Sequence, residues 1–180
     1  MCSNSRYSLK KISLSLVEVK KLAGAIIILI FSSSFTKVSE IRVTYFLSST
    51  CKICQYYSLT LREIYREYSE NGVTFRALFP GKLESENTLQ EYKTRYEIPF
   101  DCLTDSTEHL ILQATVTPEV FVHKDNTLVY HGRIDDSYAA IGQRRFKTKN
   151  HELRDVINNI LADKPIATTF VQPVGCIIEK

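Results

Sequence analysis

The chain has 180 residues, of which 44% are hydrophobic, enough for one domain with an ordinary core and a short leader. Its formal charge of +3 is misleading, because residues 1–34 hold five of the 23 basic residues and only one of the 20 acids. The remaining 18 basic and 19 acidic residues nearly cancel. This balance gives no reason to expect a nucleic-acid partner.

The first element in chain order is an apolar run near the N-terminus. Lys20 and Lys21 precede ten uncharged residues, 22–31, and serines 32–34 follow. Such a pattern is typical of a signal peptide, and ten residues are far fewer than the ~20 needed to span a bilayer. We predict a signal peptide over residues 1–34, with a retained N-terminal anchor or a buried element as alternatives. The mature chain would then lie in the periplasm or cell envelope, without a stable membrane span.

A Cys-x-x-Cys motif lies between a predicted strand and a predicted helix. Residues 41–47 are rich in β-branched and aromatic side chains and predict a strand. After the motif, apolar residues recur at helical spacing with charged residues between them. They are Ile53, Tyr57, Leu61, Ile64 and Tyr68. Cys51 and Cys54 would then lie at the first turn of this helix, where free N–H groups and the positive end of the helix dipole stabilise a thiolate.

The later elements alternate in type. We predict a strand over 73–79, a helix from about Ser85 to Tyr96, a short strand over 100–103 and a short helix over 106–113 capped by Ser106. Strands over 117–123 and 127–132 would form a hairpin turning at Asp125-Asn126. Asn150 would cap a last helix whose apolar face is Leu153, Val156, Ile157, Ile160 and Leu161.

This order predicts an α/β protein with the thioredoxin fold, because a βαβ unit is followed by a ββα unit. A Cys-x-x-Cys near a βαβ pattern is the motif expected of that fold. We predict a central mixed sheet flanked by helices, with the domain spanning residues 38–165. Residues 166–180 would form a C-terminal tail that carries a Gly-Cys-Ile motif.

Four segments resemble bacterial redoxin-domain proteins of the thioredoxin superfamily, the relatives of thiol-disulfide oxidoreductases and thiol-specific antioxidant proteins. The segments are residues 46–57, 116–122, 130–136 and 174–178. The resemblance implies an exposed nucleophile, Cys51, and a resolving thiol, Cys54. It further implies a cis Thr117–Pro118 bond that packs against the disulfide, and we expect the backbone of Thr117 to be free to dock a substrate.

Three positions depart from the pattern of these relatives. Lys52 stands where they usually carry proline, and its charge should favour the Cys51 thiolate further. Tyr45 occupies the position of the buried acid of thioredoxin, and Tyr57 the position of a glutamate found in respiratory and cytochrome-maturation relatives. The proton-transfer group is therefore open, and Glu119 is the candidate because it follows Pro118 in the sequence.

The leading functional hypothesis is an exported thiol-disulfide oxidoreductase that exchanges two electrons with protein disulfides. Its partners would be a protein dithiol or disulfide substrate and an electron-donor thiol protein, and no cofactor is expected. Half a zinc site or a structural disulfide are alternative interpretations of the motif. A thiol peroxidase is the main rival, although Thr44 and Ser48 replace the proline and threonine of peroxiredoxins. A non-enzymatic binding module with this fold is a third hypothesis, and the oligomeric state stays open.

Several further residues have two interpretations. Arg133, Asp135 and Asp136 could dock a partner or line the site, or they could form a salt-bridged turn after the last strand. Cys102 follows an apolar tract and is predicted to be a buried, inert thiol. Cys176 is either a tail cysteine that packs as a small apolar group or a third redox thiol, for which Cys102 is one conceivable partner.

Overall fold

The computed structural model describes residues 39–179. The predicted signal peptide, residues 1–34, lies outside these described residues. Within residues 39–179, no helix has both the length and the apolar character that crossing a membrane requires.

A mixed six-stranded sheet with the order β3-β2-β1-β5-β6-β9 forms the centre of the fold. β1 pairs in parallel with β2 and antiparallel with β5, and β5 pairs antiparallel with β6. These four strands have the arrangement of the thioredoxin fold, so the fold predicted from the sequence is confirmed. The strands are β1 (Ile41–Phe46), β2 (Val73–Pro80), β3 (Asp101–Asp105), β5 (Glu119–Lys124), β6 (Thr127–Gly132) and β9 (Phe170–Val171).

The four described α-helices are α1 (Lys52–Tyr68), α2 (Glu86–Arg95), α3 (Glu108–Leu112) and α4 (Glu152–Leu161). All five residues of the apolar stripe predicted on α1 are buried. A 3-10 turn, Ser69–Asn71, follows α1, and Gly72 then takes a left-handed conformation with φ of 80°. This glycine ends the helical segment and leads the chain into β2.

Helix starts were predicted less well than helix faces. Ser106 does not cap α3, because the carboxylate of Asp105 accepts hydrogen bonds from the backbone N–H groups of Thr107, Glu108 and His109 at 3.0, 2.7 and 2.8 Å. A carboxylate with two oxygens can serve more of the free N–H groups of a first turn than a hydroxyl can.

The last helix also begins differently from the prediction. His151 is its N-cap residue, and the side chain of Asn150 donates to Asp136 at 3.3 Å instead of capping the helix. Leu161 is 41% exposed, so its place on the apolar face was wrong, whereas the other four predicted residues are buried. Leu161 is the last residue of the helix.

The segment after α4 returns to the sheet and then continues to the helix N-terminus that holds the two cysteines. β9 pairs in parallel with the end of β6, with Val171 opposite Gly132. A Cβ atom on Gly132 would lie 2.0 Å from the carbonyl oxygen of Val171, so only glycine permits this pairing. β10 (Cys176–Ile177) then pairs antiparallel with β4 (Val116–Thr117), and β7 (Tyr138–Ala140) pairs with β8 (Gln143–Arg144).

Candidate active site

The two motif cysteines lie where the sequence predicted them, at the start of α1. Cys51 is the N-cap residue with an extended backbone, and Cys54 lies in the first turn. Both are free thiols. Cys54 is fully buried, and the hydroxyl of Tyr92 on α2 donates to its carbonyl oxygen at 3.2 Å. The helix therefore holds one sulfur at its tip and the other in the core.

A third sulfur, which the sequence did not assign to this place, covers Cys51. The Sγ of Cys176 lies 2.7 Å from the Sγ of Cys51, although 125 residues separate them in the chain. Cys51 is consequently buried, with 3% of its surface exposed, and the expectation of an exposed nucleophile was wrong. The sulfur of Cys176 therefore lies against Cys51, and not against Cys102, the partner considered for it as a third redox thiol. Cys102 lies on the edge strand β3, where its sulfur contacts the carbonyl oxygen of Phe100 at 3.9 Å.

Hydrogen bonds from neighbouring groups hold the pKa of Cys51 well below its usual value of 9.0, at about 5. The thiol of Cys54 makes the largest contribution, followed by the thiol of Cys176 and by the backbone N–H groups of these two residues, against an opposing effect of burial. The free N–H of the first helical turn thus contributes as expected. The ammonium group of Lys52 donates to the side-chain oxygen of Gln55 at 3.1 Å, and its effect on the Cys51 thiolate stays a prediction.

Cys51, Cys54 and Cys176 together are called the sulfur cluster here. The pKa values of Cys54 and Cys176 are raised, whereas that of Cys51 is lowered. Burial is the main cause that raises the pKa of Cys54 well above the usual range, and the neighbouring Cys51 raises it further. Burial followed by contact with Cys51 raises the pKa of Cys176 to about 11. At neutral pH the cluster therefore holds one thiolate and two thiols that donate to it.

The Thr117–Pro118 peptide bond is cis, as predicted. Thr117 is buried beside the sulfur cluster, and its carbonyl oxygen lies 3.2 Å from the Sγ of Cys51. From the sequence, we expected the backbone of Thr117 to be free to dock a substrate, and this was wrong. Cys176 of β10 lies opposite Thr117 in the β4–β10 ladder. The chain's own C-terminal strand occupies this docking position.

Glu119 is 2% exposed and follows the cis bond, but its described contacts lie away from the sulfur atoms. Its carboxylate accepts hydrogen bonds from the backbone N–H of Thr115 at 2.9 Å and of Val116 at 3.5 Å, and it lies 3.6 Å from a ring nitrogen of His131. These bonds fix the backbone that leads into Pro118. The role of Glu119 in proton transfer stays a prediction.

The polar residues after β6 form a structural turn. The Tyr57 hydroxyl donates to the carboxylate of Asp135 at 2.6 Å, which ties this turn to α1. Asp136 accepts from the backbone N–H groups of Lys149 and Asn150, and Arg133 pairs with Glu152. These contacts support the interpretation as a salt-bridged turn. The turn also lies next to the cis-proline segment, since Asp135, Tyr57 and Pro118 line the same small cavity.

Sequence reasoning missed Glu84, which positions the loop that enters α1. Its Oε1 accepts from the Ser48 hydroxyl and from the Ser49 N–H, both at 2.9 Å, although the residue is buried and lies 35 positions further along the chain. A Ser85 N-cap one residue later fixes the start of α2 next to it. No pattern in the sequence marks this glutamate, because an isolated acid before a helix cap is common on protein surfaces.

We expect Glu84→Ala to lower the free energy of unfolding by about 1–3 kcal/mol, because the half-buried N–H of Ser49 loses its charged acceptor. Glu84→Gln should cost less, since its amide oxygen can still accept. Urea unfolding monitored by circular dichroism measures both, with Glu91→Ala on the exposed face of α2 as the control. Equal stability of Glu84→Ala and the control would contradict this role.

Known protein structures resemble this chain in fold, although comparisons of sequence find no match. A hypothetical protein from Sinorhizobium meliloti superposes with a TM-score of 0.69 and 23% identity over 77% of this chain and 78% of that chain. An uncharacterized conserved protein from Geobacillus kaustophilus does so with a TM-score of 0.69 and 20% identity over 78% of this chain and 77% of that chain.

A secreted disulfide oxidoreductase of Mycobacterium tuberculosis superposes more loosely, with a TM-score of 0.48 and 14% identity over 69% of this chain and 81% of that chain. No protein-family model and no curated protein matches the sequence. The likenesses to the S. meliloti and G. kaustophilus proteins show that this arrangement of strands and helices is shared.

Proposed function

We propose that this chain, which has the thioredoxin fold, is an exported thiol-disulfide oxidoreductase that exchanges two electrons with protein disulfides through Cys51 and Cys54. One observation carries the proposal: Cys51 stands at the N-terminus of α1 beside a buried second thiol and the cis Pro118 segment. A thiolate stabilised at a helix N-terminus is the reactive form of cysteine, and a nearby thiol allows the reaction to finish as a disulfide.

The proposed reaction has two exchange steps. The Cys51 thiolate attacks one sulfur of a substrate disulfide, forms a mixed disulfide and releases the other sulfur as a thiolate. Cys54 then attacks the Sγ of Cys51 and displaces the second substrate sulfur. The proton of Cys54 passes to the departing thiolate, which suits a buried thiol with a raised pKa. The substrate leaves with one thiol and one thiolate, which takes up a proton from water, and the protein holds a Cys51–Cys54 disulfide.

The surroundings of Ser48 favour dithiol exchange over peroxide reduction. Its hydroxyl lies 3.1 Å from the hydroxyl of Thr50 and donates to Glu84, so it is engaged in the loop instead of at the sulfur of Cys51. Reduction of insulin disulfides, measured beside peroxide consumption, tests the proposal. We expect turbidity from reduced insulin with the wild-type chain and none with Cys51→Ser. Peroxide consumption without insulin reduction would contradict the proposed function.

Export is the second part of the proposal, and it rests on the basic flank and apolar run of residues 20–34. We expect cleavage near Ser34, so that the mature chain in the cell envelope starts close to Phe35. Mass spectrometry of the intact protein from envelope and cytosolic fractions measures this directly. An uncleaved chain with Met1 in the cytosol would contradict export. In an oxidising compartment the two thiols would need an electron-donor thiol protein to stay reduced.

A further inference from the structure

The strand β10 lies across the sulfur cluster as an extended peptide. Beyond its ladder with β4, the backbone N–H of Ile178 donates to the carbonyl oxygen of Thr115 at 3.0 Å. The Ile178 side chain is buried in a small apolar cluster with Phe46, Leu78 and Phe121. Backbone pairing and one buried side chain are the means by which a sheet edge holds an added strand. The segment is therefore seated as a bound peptide would be.

Gly175 makes this close seating achievable. A Cβ atom at this position would lie 2.3 Å from the carbonyl oxygen of Thr117 and 2.6 Å from its carbonyl carbon. Both are backbone atoms of the rigid cis-proline segment, so they cannot move aside as a flexible side chain would. The absence of a side chain at Gly175 brings the next residue, Cys176, directly over Cys51.

Cys176 also differs from Cys54 in its access to solvent. Cys54 is fully buried, whereas Cys176 is half-buried and lines a groove of about 300 Å³. Residues 80–84, Thr50 and Thr117 form other parts of this groove. A reagent or a partner protein can therefore approach the sulfur of Cys176 more readily than that of Cys54. The Sγ of Cys51 lies 2.7 Å from the Sγ of Cys176, and the Cys54 thiol is the group that lowers the pKa of Cys51 most.

We propose that Cys176 is a third catalytic thiol, which forms a disulfide with Cys51 in place of Cys54. The distance of 2.7 Å between the two sulfurs is about 0.7 Å longer than a disulfide bond, so a small movement joins them. The inference rests on the proposed function, because a disulfide substrate supplies the oxidising equivalent. It makes β10 an internal substrate that an external peptide must displace from Thr117.

The internal exchange balances without a further reactant. When Cys51 and Cys54 are joined, the thiolate of Cys176 attacks the Sγ of Cys51, and the Cys51–Cys54 bond breaks as the new bond forms. Cys54 leaves as a thiolate and takes up the proton that Cys176 has lost. No electrons enter or leave the protein. The oxidised bond has then moved from the core to the groove, where a reducing thiol protein can attack the sulfur of Cys176.

The test uses the full chain and oxidised glutathione as the disulfide. In Cys54→Ser, Cys51 should become glutathionylated, and Cys176 should then displace reduced glutathione. Non-reducing peptide mapping by mass spectrometry should find most of the Cys51 peptide joined to the Cys176 peptide. In Cys54→Ser/Cys176→Ser, Cys51 should retain glutathione instead. Cys54→Ser/Cys102→Ser is the matched control and should still yield the Cys51–Cys176 bond.

A second substitution in Cys54→Ser, one that leaves Cys51, Cys102 and Cys176 in place, tests the role of β10. Adding Gly175→Ala should push the strand from Thr117 and lower the yield of the Cys51–Cys176 bond severalfold. Ile177→Ala, which shortens an 81% exposed side chain on the same strand, should leave the yield unchanged. An equal yield from these two alanine variants would contradict the role of the strand.

The inference itself would be overturned by equal retention of glutathione on Cys51 in Cys54→Ser and Cys54→Ser/Cys176→Ser. Wild-type reduction of insulin together with that result would leave the proposed function standing and remove only the third thiol. A wild-type chain that forms the Cys51–Cys176 bond but reduces no insulin would instead support the pairing and contradict the function. Peptide mapping decides the inference, and the insulin assay decides the function.

Discussion

In the Cys54→Ser/Cys176→Ser variant, we expect mixed disulfides between Cys51 and a protein substrate to accumulate, on the order of tenfold more than in Cys54→Ser alone. Trapping mutants of this kind usually need only the resolving cysteine removed. Here a second thiol lies 2.7 Å from Cys51, and its effective concentration lets it release the substrate whenever Cys54 cannot. Both thiols must therefore be absent before the mixed disulfide persists.

Non-reducing electrophoresis after incubation with insulin, followed by mass spectrometry of the joined peptides, measures the trapped fraction. Cys54→Ser/Cys102→Ser should behave like Cys54→Ser, because Cys102 lies on the edge strand β3. Cys51→Ser should trap nothing and lose exchange activity entirely. Trapping by Cys51→Ser would overturn the assignment of the nucleophile, and equal trapping by the single and double variants would show that Cys176 releases no substrate.

The second large effect concerns the titration of Cys51. With its pKa lowered from 9.0 to about 5, Cys51 should be ionised to about 90% at pH 6, against about 0.1% for an unperturbed thiol. The ultraviolet absorbance of the thiolate, followed from pH 4 to 8 in the reduced protein, should rise with a midpoint near pH 5. The absence of any rise between pH 4 and pH 7 would contradict the stabilisation of this thiolate.

Alanine variants identify the groups that stabilise the Cys51 thiolate. Cys54→Ala should raise the midpoint more than Cys176→Ala does, because the Cys54 thiol makes the largest contribution to lowering this pKa. The reverse order would contradict the hydrogen-bond account. Since the folded pKa lies below the unfolded one, ionisation also favours folding. That contribution is complete above about pH 9 and is lost as the pH falls through about 5.

The order of strands and helices could be predicted because each core element carries a periodic pattern. The apolar stripe of α1 and the Asp125-Asn126 turn are local signals, and both turn residues have positive φ values of 50° and 68° that suit a tight hairpin. The positions of Cys51 and Cys54 follow from the same local pattern. These features depend on neighbours within a few residues.

The features that could not be predicted depend on distant neighbours. β4 and β10 are each two residues long, too short for a periodic pattern, so nothing local indicates that Cys176 meets Cys51. The same holds for Glu84, whose partners lie 35 residues earlier in the chain. The N-caps of α3 and α4 were predicted wrongly because two aspartates intervene. Asp105 accepts from the backbone N–H groups that the Ser106 hydroxyl was expected to bind, and Asp136 binds Asn150, which was expected to cap α4.

The distance between Cys51 and Cys176 along the chain has a consequence for heat resistance. A bond between them would close a ring of about 125 residues, most of the described domain, whereas the Cys51–Cys54 bond closes only four. In the chain-entropy account of disulfides, the large ring restricts the unfolded chain by about 5 kcal/mol and the small one by about 2 kcal/mol. Folding would therefore shift the equilibrium between the two disulfides from Cys51–Cys54 toward Cys51–Cys176.

Calorimetry of Cys54→Ser with the Cys51–Cys176 bond formed, and again after reduction, should show the oxidised protein melting on the order of 10 °C higher. Equal melting temperatures would mean that strain in the closed ring offsets its entropic advantage. With the expected difference, the redox state of a single bond would set the temperature at which the folded domain unfolds.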